Sequence, residues 1–516
     1  MKPRGVCLRN SNASSILSPE ITIIAKGAGI VFSGTIIGTG LRYLFEFMVA
    51  RNLGPDLFGL FFLGFSTVKI AEIISTLGLH RGVLRFVALF QGAGDEARTK
   101  GAILFSVRTT LVVSIILGIS MFMLSPFVSL HIFHKAGLAS VLRLFALVVP
   151  FIAVTTILVF CTQGFKIMKY RVLVRELFEP GIRIIAVVFL FILGFKLMGA
   201  ILAFIASILL GTILALVYTK KTFPPLMDKG TRPLFESKEI LNYSWPLLLA
   251  EFFGLIVMWI NILMIGYFKS SDEVGIYSAS HRTALLGEVI FISFNAIFSP
   301  IIADLYHRKE QERLAHLFKL VNKWIFSLNF PVCLLMVFFA SDLLRLFGNR
   351  YLPGTMCLVL LGTAQLVNSA LGSSGFLIMM SGKSRINLIN NIFTALLNIG
   401  LNVLLIPTYG ILGAALSFLA SVSVVNVIMV IEVYALFRIH PFRTDMYKSP
   451  LAGGISFIIM ALLIRFLRGT GNSFFLMGTG SVIFLLSYGL LTKALGIGEE
   501  DKIVLQRLKA KLLLSK

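Results

Sequence analysis

The chain has 516 residues, 57% of them apolar and only 14% charged, with a mean hydropathy of +0.91. A soluble domain carries about a quarter charged residues, so a water-soluble core is excluded and the bilayer must be the solvent. The net charge of +23 does not mark a nucleic-acid partner, because the lysines and arginines sit in short loops between apolar runs.

Residues 1–24 form an N-terminal segment with Lys2, Arg4 and Arg9. The first apolar run, 25–50, is too long and too late for a cleaved leader and reads as a retained span. Five more runs follow at 57–79, 102–125, 142–163, 181–196 and 198–218, which predicts a six-helix bundle over 25–218. A linker over 219–242 contains Pro224-Pro225. Runs at 243–268, 283–304, 324–346, 355–380, 386–406 and 411–435 predict a second six-helix bundle over 243–437. Two extra helices over 450–494, from runs at 450–467 and 474–494, precede a basic tail over 495–516. The expected fold class is an all-α polytopic membrane protein of about 14 transmembrane helices.

The two bundles repeat one another. Gly199 to Ser207 matches Gly413 to Ser421 at six of nine positions, at an offset of 214. Asp56-Leu57-Phe58-Gly59 sits against Asp272-Glu273-Val274-Gly275 at an offset of 216. An even number of spans per repeat gives both halves the same orientation, with a cleft between them. Of the 47 lysines and arginines, 34 fall on the side of the termini and 10 on the other, which predicts both termini in the cytoplasm.

Ionisable groups inside spans are costly and mark cavities or partners. Arg42, Lys69 and Arg108 form a candidate basic set for an anionic headgroup, since arginine's fork suits phosphate. The bland alternative is two intrahelical ion pairs, Arg42 with Glu46 and Lys69 with Glu72. In the second half Glu251 and Glu288 lie within spans, Glu432 nearer an interface, and Glu251 is the candidate ion-coupling carboxylate. Asn387, Asn391, Asn398 and Asn402 fall within an arc of about 60° on one helix, with Asn390 beside them. Asn391, Asn398 and Asn402 are candidate sugar contacts, because an amide both donates and accepts; helix-to-helix glue is the alternative. Gly34 and Gly38 suit close helix packing. Gly382-Lys383-Ser384 lacks the upstream glycine of a phosphate loop, and His131 and His134 lack further ligands. No catalytic motif, metal set or cofactor site is expected.

Three stretches carry a family resemblance. The first is Ala50-Arg51-Asn52-Leu53-Gly54-Pro55-Asp56-Leu57-Phe58-Gly59 with Leu77-Gly78-Leu79 and Arg85; the second runs from Phe298-Ser299-Pro300 through Trp324 and Pro331 to Gly348-Asn349-Arg350-Tyr351. The third is Leu401 to Ala415, including Asn402, Pro407, Tyr409 and Gly413. In this order the chain resembles the polysaccharide-unit flippases (Wzx type) of the multidrug/oligosaccharidyl-lipid/polysaccharide exporter superfamily. The resemblance implies a non-enzymatic transporter of the cytoplasmic membrane that turns a lipid-linked oligosaccharide by alternating access. A basic lumen is usual in such proteins, which fits Arg42, Lys69 and Arg108 by type. Implied partners are the lipid-linked oligosaccharide, membrane lipids, H+ or Na+, and a polysaccharide polymerase. The competing expectations are an ion-coupled multidrug exporter, a peptidoglycan-precursor flippase and a membrane polysaccharide polymerase.

Overall fold

The computed structural model describes residues 19–228, 230–467, 473–496, 498, 500 and 501. The predicted N-terminal segment up to residue 18 and the basic tail beyond 501 lie outside the described residues. The first half comprises α1 (Pro19–Thr76), α2 (Leu79–Gly92), α3 (Glu96–Phe127), α4 (Leu138–Ala146), α5 (Val149–Gly164), α6 (Met168–Arg171), α7 (Glu179–Ile192) and α8 (Leu197–Thr222). The second comprises α9 (Ser237–Phe268), α10 (Ser271–Ala284), α11 (Glu288–His307), α12 (Gln311–Phe338), α13 (Ala340–Phe347), α14 (Thr355–Leu371), α15 (Ser373–Met380), α16 (Ser384–Tyr409) and α17 (Ile411–Phe437). Two more helices follow, α18 (Lys448–Leu467) and α19 (Ser473–Ala494). No strand occurs among the described residues.

The chain is an all-α polytopic membrane protein. Eleven described helical segments are long and apolar enough to cross a bilayer, or twelve with the α4–α5 pair, bent by 42°, taken as one span; the sequence offers fourteen apolar stretches. Two local features account for much of the difference. The 58 residues of α1 hold two stretches and would run far beyond the ~30 Å hydrocarbon core if straight. They break at Gly54 (φ 73°, ψ 171°), a backbone that favours glycine, immediately before Pro55. The stretch at 181–196 becomes the 14-residue α7, which continues α6 through a π-helical turn, Val172–Phe178.

The halves meet at the Gly54 end along the repeat itself. A Cβ on Gly59 would collide with the Ser271 carbonyl, and one on Gly275 with the Pro55 carbonyl. The two glycines are 216 residues apart and pack reciprocally, as a two-fold relation between repeats requires. Tyr351 donates its hydroxyl to the Ala50 carbonyl (2.8 Å), and Lys135 donates to the Lys269 carbonyl (2.8 Å). Phe58, Phe61, Phe62, Phe145 and Phe204 pack with Trp259, Tyr277 and Tyr351 in one buried cluster that crosses the seam. In lipid such packing, and not escape from water, holds helices together, which is why small residues sit at the closest approaches.

A second seam joins α2 to α9. Gly78 and Gly82 press against Ser244, and the Arg85 guanidinium lies 4.3 Å over the Tyr243 ring. Glu251 of α9 accepts from His80 Nε2 and from Arg81 Nε, both at 2.8 Å.

Candidate functional site

Away from the Gly54 end, the first half encloses a cavity of about 290 Å³. Arg42 reaches it from the first arm of α1, Lys69 and Glu72 from the second arm, and Thr156 from α5. Arg171, Arg175, Glu176, Glu179 and Arg183 reach it from one continuous run through α6, the π-helical turn and α7. Gly34 and Gly38 let this run come close: a Cβ on Gly34 would strike Val172, and one on Gly38 would lie 2.7 Å from the Glu176 carbonyl. A π-helical turn is rare and occurs frequently at functional sites. Phe65, Phe160 and Phe204 complete the wall.

The charges are laced together. Arg42 Nη1 donates to Glu176 Oε2 at 2.7 Å, and Lys69 Nζ to Glu72 Oε2 at 2.8 Å. Arg175 bridges Glu179 (3.3 Å) and Glu72 (3.4 Å) and also donates to the Thr156 hydroxyl. Five cations against three carboxylates leave two positive charges over. The surplus has an address. Neither Arg171 nor Arg183 forms an ion pair among the described residues; Arg171 stacks on Phe160 at 5.2 Å and Arg183 on Phe204 at 4.4 Å. Arg183 Nε donates to Ser207 Oγ (3.1 Å). An arginine whose guanidinium lies over an aromatic ring keeps donors for a planar or tetrahedral anion.

Of the expected basic set, Arg42 and Lys69 line this cavity and Arg108 does not; it lies exposed on α3. The expected pair Lys69–Glu72 forms, whereas Arg42 turns to Glu176 and Glu46 to Arg282 of the second half, at 3.5 Å. Glu251, the candidate ion-coupling carboxylate, has both oxygens engaged by α2. Asn398 and Asn402 are fully buried, and Asn402 Nδ2 donates to Asn398 Oδ1 (3.1 Å) and to Asn261 Oδ1 of α9 (2.6 Å), so here the amides bind helix to helix. Asn391 is half-buried, and its side chain forms no hydrogen bond among the described residues. Sequence reasoning missed Arg171, Arg175 and Arg183. Their signal is the strict spacing of Arg171, Arg175, Glu179 and Arg183, four charges each four apart along one helical face.

The second half holds a counterpart of about 330 Å³, lined by Phe291, Asn368, Phe376, Asn387, Thr394 and Asn426 among others, with no ionisable side chain. Ile208 lines the first cavity and Val422, 214 residues later, lines the second. No group of side chains suited to a metal ion occurs among the described residues.

Comparison with known proteins agrees with this architecture. The family model described as "Polysaccharide biosynthesis protein" matches residues 24–306, and the MatE model matches residues 246–404. An uncharacterized membrane protein of Methanocaldococcus jannaschii is 28% identical over 437 residues, covering 81% of this chain and 98% of the relative. The probable low-salt glycan biosynthesis flippase Agl15 of Haloferax volcanii is 22% identical over 411 residues, covering 78% of this chain and 82% of the relative. Among solved structures, the lipid II flippase MurJ in an inward closed conformation superposes with a TM-score of 0.71 at 13% identity, over 90% of this chain and 98% of that one.

Proposed function

The chain belongs to the polysaccharide biosynthesis protein family, and from that premise we propose that it is a flippase for a polyprenyl-pyrophosphate-linked oligosaccharide. The headgroup crosses the cytoplasmic membrane between the two halves while the lipid tail stays in the bilayer. The observation that carries this reading is the pair of arginines, Arg171 and Arg183, that form no ion pair among the described residues, in a cavity otherwise laced by ion pairs. A pyrophosphate diester carries about two negative charges at neutral pH, which matches the two cations left over. A water-poor site strengthens that attraction. Arg42 and Lys69 exchange their carboxylates for the anion as it enters; Arg108 has no part in binding it.

Both termini lie in the cytoplasm on the count of basic residues. The reciprocal Gly59–Gly275 contact then closes the outer end, and the Arg171 end of the cavity takes the headgroup from the inner leaflet. Lys69 lies 15 residues from Gly54, about 22 Å along a helix, well below that seal. Transport requires the Gly54-end seam to part. Glu251 enters as a strut between α2 and α9, with the coupling ion, H+ or Na+, carried elsewhere. A polysaccharide polymerase would take the delivered unit.

The test is headgroup translocation in reconstituted vesicles, read by a membrane-impermeant reagent. Arg171→Ala/Arg183→Ala is expected to lose translocation at least about 100-fold, since each charge-assisted contact is worth ~1.5–3 kcal/mol. Translocation at the wild-type rate overturns the assignment. The MatE match over 246–404 supports a multidrug exporter as the second reading. A cationic drug would be repelled by the surplus charge of the first cavity, and drug-driven transport by the purified protein would favour it over the first.

A further inference from the structure

We propose that the cavity of the second half is a separate subsite for the uncharged sugar of the lipid-linked glycan. This rests on the flippase reading and adds to it a division of labour between the halves. The cavity is walled by α11, α14, α15, α16 and α17, and its volume of about 330 Å³ lies within the range of small-molecule sites, ~300–1,000 Å³.

Its chemistry is that of a sugar site. Three amides, Asn368, Asn387 and Asn426, converge there from three different helices. Asn426 Nδ2 is held by the Val422 carbonyl (2.9 Å) and approaches Asn368 Oδ1 (3.4 Å). The Asn387 amide has no hydrogen-bond partner among the described residues, so its two N–H donors and its carbonyl oxygen are left for sugar hydroxyls. Phe291 and Phe376 meet edge to face, with ring centroids 5.8 Å apart, and offer ring faces to the C–H side of a sugar. Two glycines keep the amides uncovered. A side chain on Gly372 would run against Asn368 Oδ1 (2.5 Å), and one on Gly375 would come within 4.0 Å of Asn387 Oδ1.

The lining also determines what is refused. With no cation in the wall, a phosphate would enter this cavity uncompensated, at a high desolvation cost. In the first half the donors of Arg171 and Arg183 bond more strongly to an anion than to a neutral hydroxyl, so the phosphate displaces the sugar there. One substrate with an anionic and a neutral part is thereby sorted between the two cavities.

The experiment uses the full-length protein in lipid nanodiscs and two pyrophosphate diesters of equal charge, the methyl ester of farnesyl pyrophosphate (farnesyl pyrophosphate below) and farnesyl-pyrophosphoryl chitobiose. Wild type is expected to bind the glycosylated probe at least about tenfold more tightly, the worth of one or two neutral hydrogen bonds. Asn387→Leu and, separately, Phe376→Leu are expected to remove that advantage while leaving farnesyl pyrophosphate binding unchanged, which also reports an intact fold. Equal wild-type affinity for both probes, or an advantage kept by both variants, overturns the sugar site alone. Failure of wild type to bind either probe overturns the flippase reading together with it.

Discussion

The two halves of this chain enclose cavities of about 290 and 330 Å³ and line them with opposite chemistry. One is a lattice of arginine, lysine and glutamate; the other has amides, aromatic rings and methionine and no ionisable side chain. Ile208 and Val422, 214 residues apart, hold corresponding places in the two walls. The sequence repeat thus accompanies two hollows whose side chains differ in chemistry. On the proposed reading, the two linings meet the two unlike parts of one ligand.

Substitutions can break or sharpen that contrast. The largest expected effect is on stability. Arg175→Leu leaves Glu72 and Glu179 short of a partner in the membrane and should destabilise by about 3 kcal/mol, whereas Asn387→Leu should stay within ~0.5 kcal/mol. Thermal unfolding in detergent compares them directly, and equal losses would erase the distinction between lattice and open amide. Next, Arg183→Lys keeps the charge but loses the planar fork stacked on Phe204. It is expected to weaken farnesyl pyrophosphate binding about tenfold and to leave the sugar-dependent gain untouched. A smaller effect is ionic: raising salt from 0.1 to 1 M shortens the screening length from ~10 to ~3 Å. Affinity for farnesyl pyrophosphate should fall several-fold, while the ratio between glycosylated and sugar-free probes holds. The smallest is Arg108→Ala, exposed on α3 and outside both cavities; any change beyond about twofold in binding would return it to the site.

Much of the scaffold was legible in the sequence, because period, length and repeat are local properties. The reciprocal packing of Gly59 and Gly275 follows the 216-residue offset read between their segments, and Gly34 and Gly38 do admit a close neighbour. That neighbour is the π-helical turn, and not another straight helix. The site was legible only in part. Arg171, Arg175 and Arg183 counted toward orientation as loop charges, and a charge used to fix topology looks the same in sequence as one used to line a hollow. The asparagine stripe shows the limit from the other side. Its arc on α16 was readable, but the neighbouring helices decide its use. Asn261 of α9 accepts from Asn402, which also donates to Asn398, while Asn387 and Thr394 open into a cavity. Packing partners distant in the chain are not encoded in one helix's periodicity.

The most direct measurement is the structure of the full chain in nanodiscs with farnesyl pyrophosphate bound. The pyrophosphate is expected between Arg171 and Arg183, with Arg42 drawn from Glu176 toward it. Density for the anion in the amide-lined cavity of the second half, or an undisturbed ion-pair lattice with the anion elsewhere, would contradict the assignment.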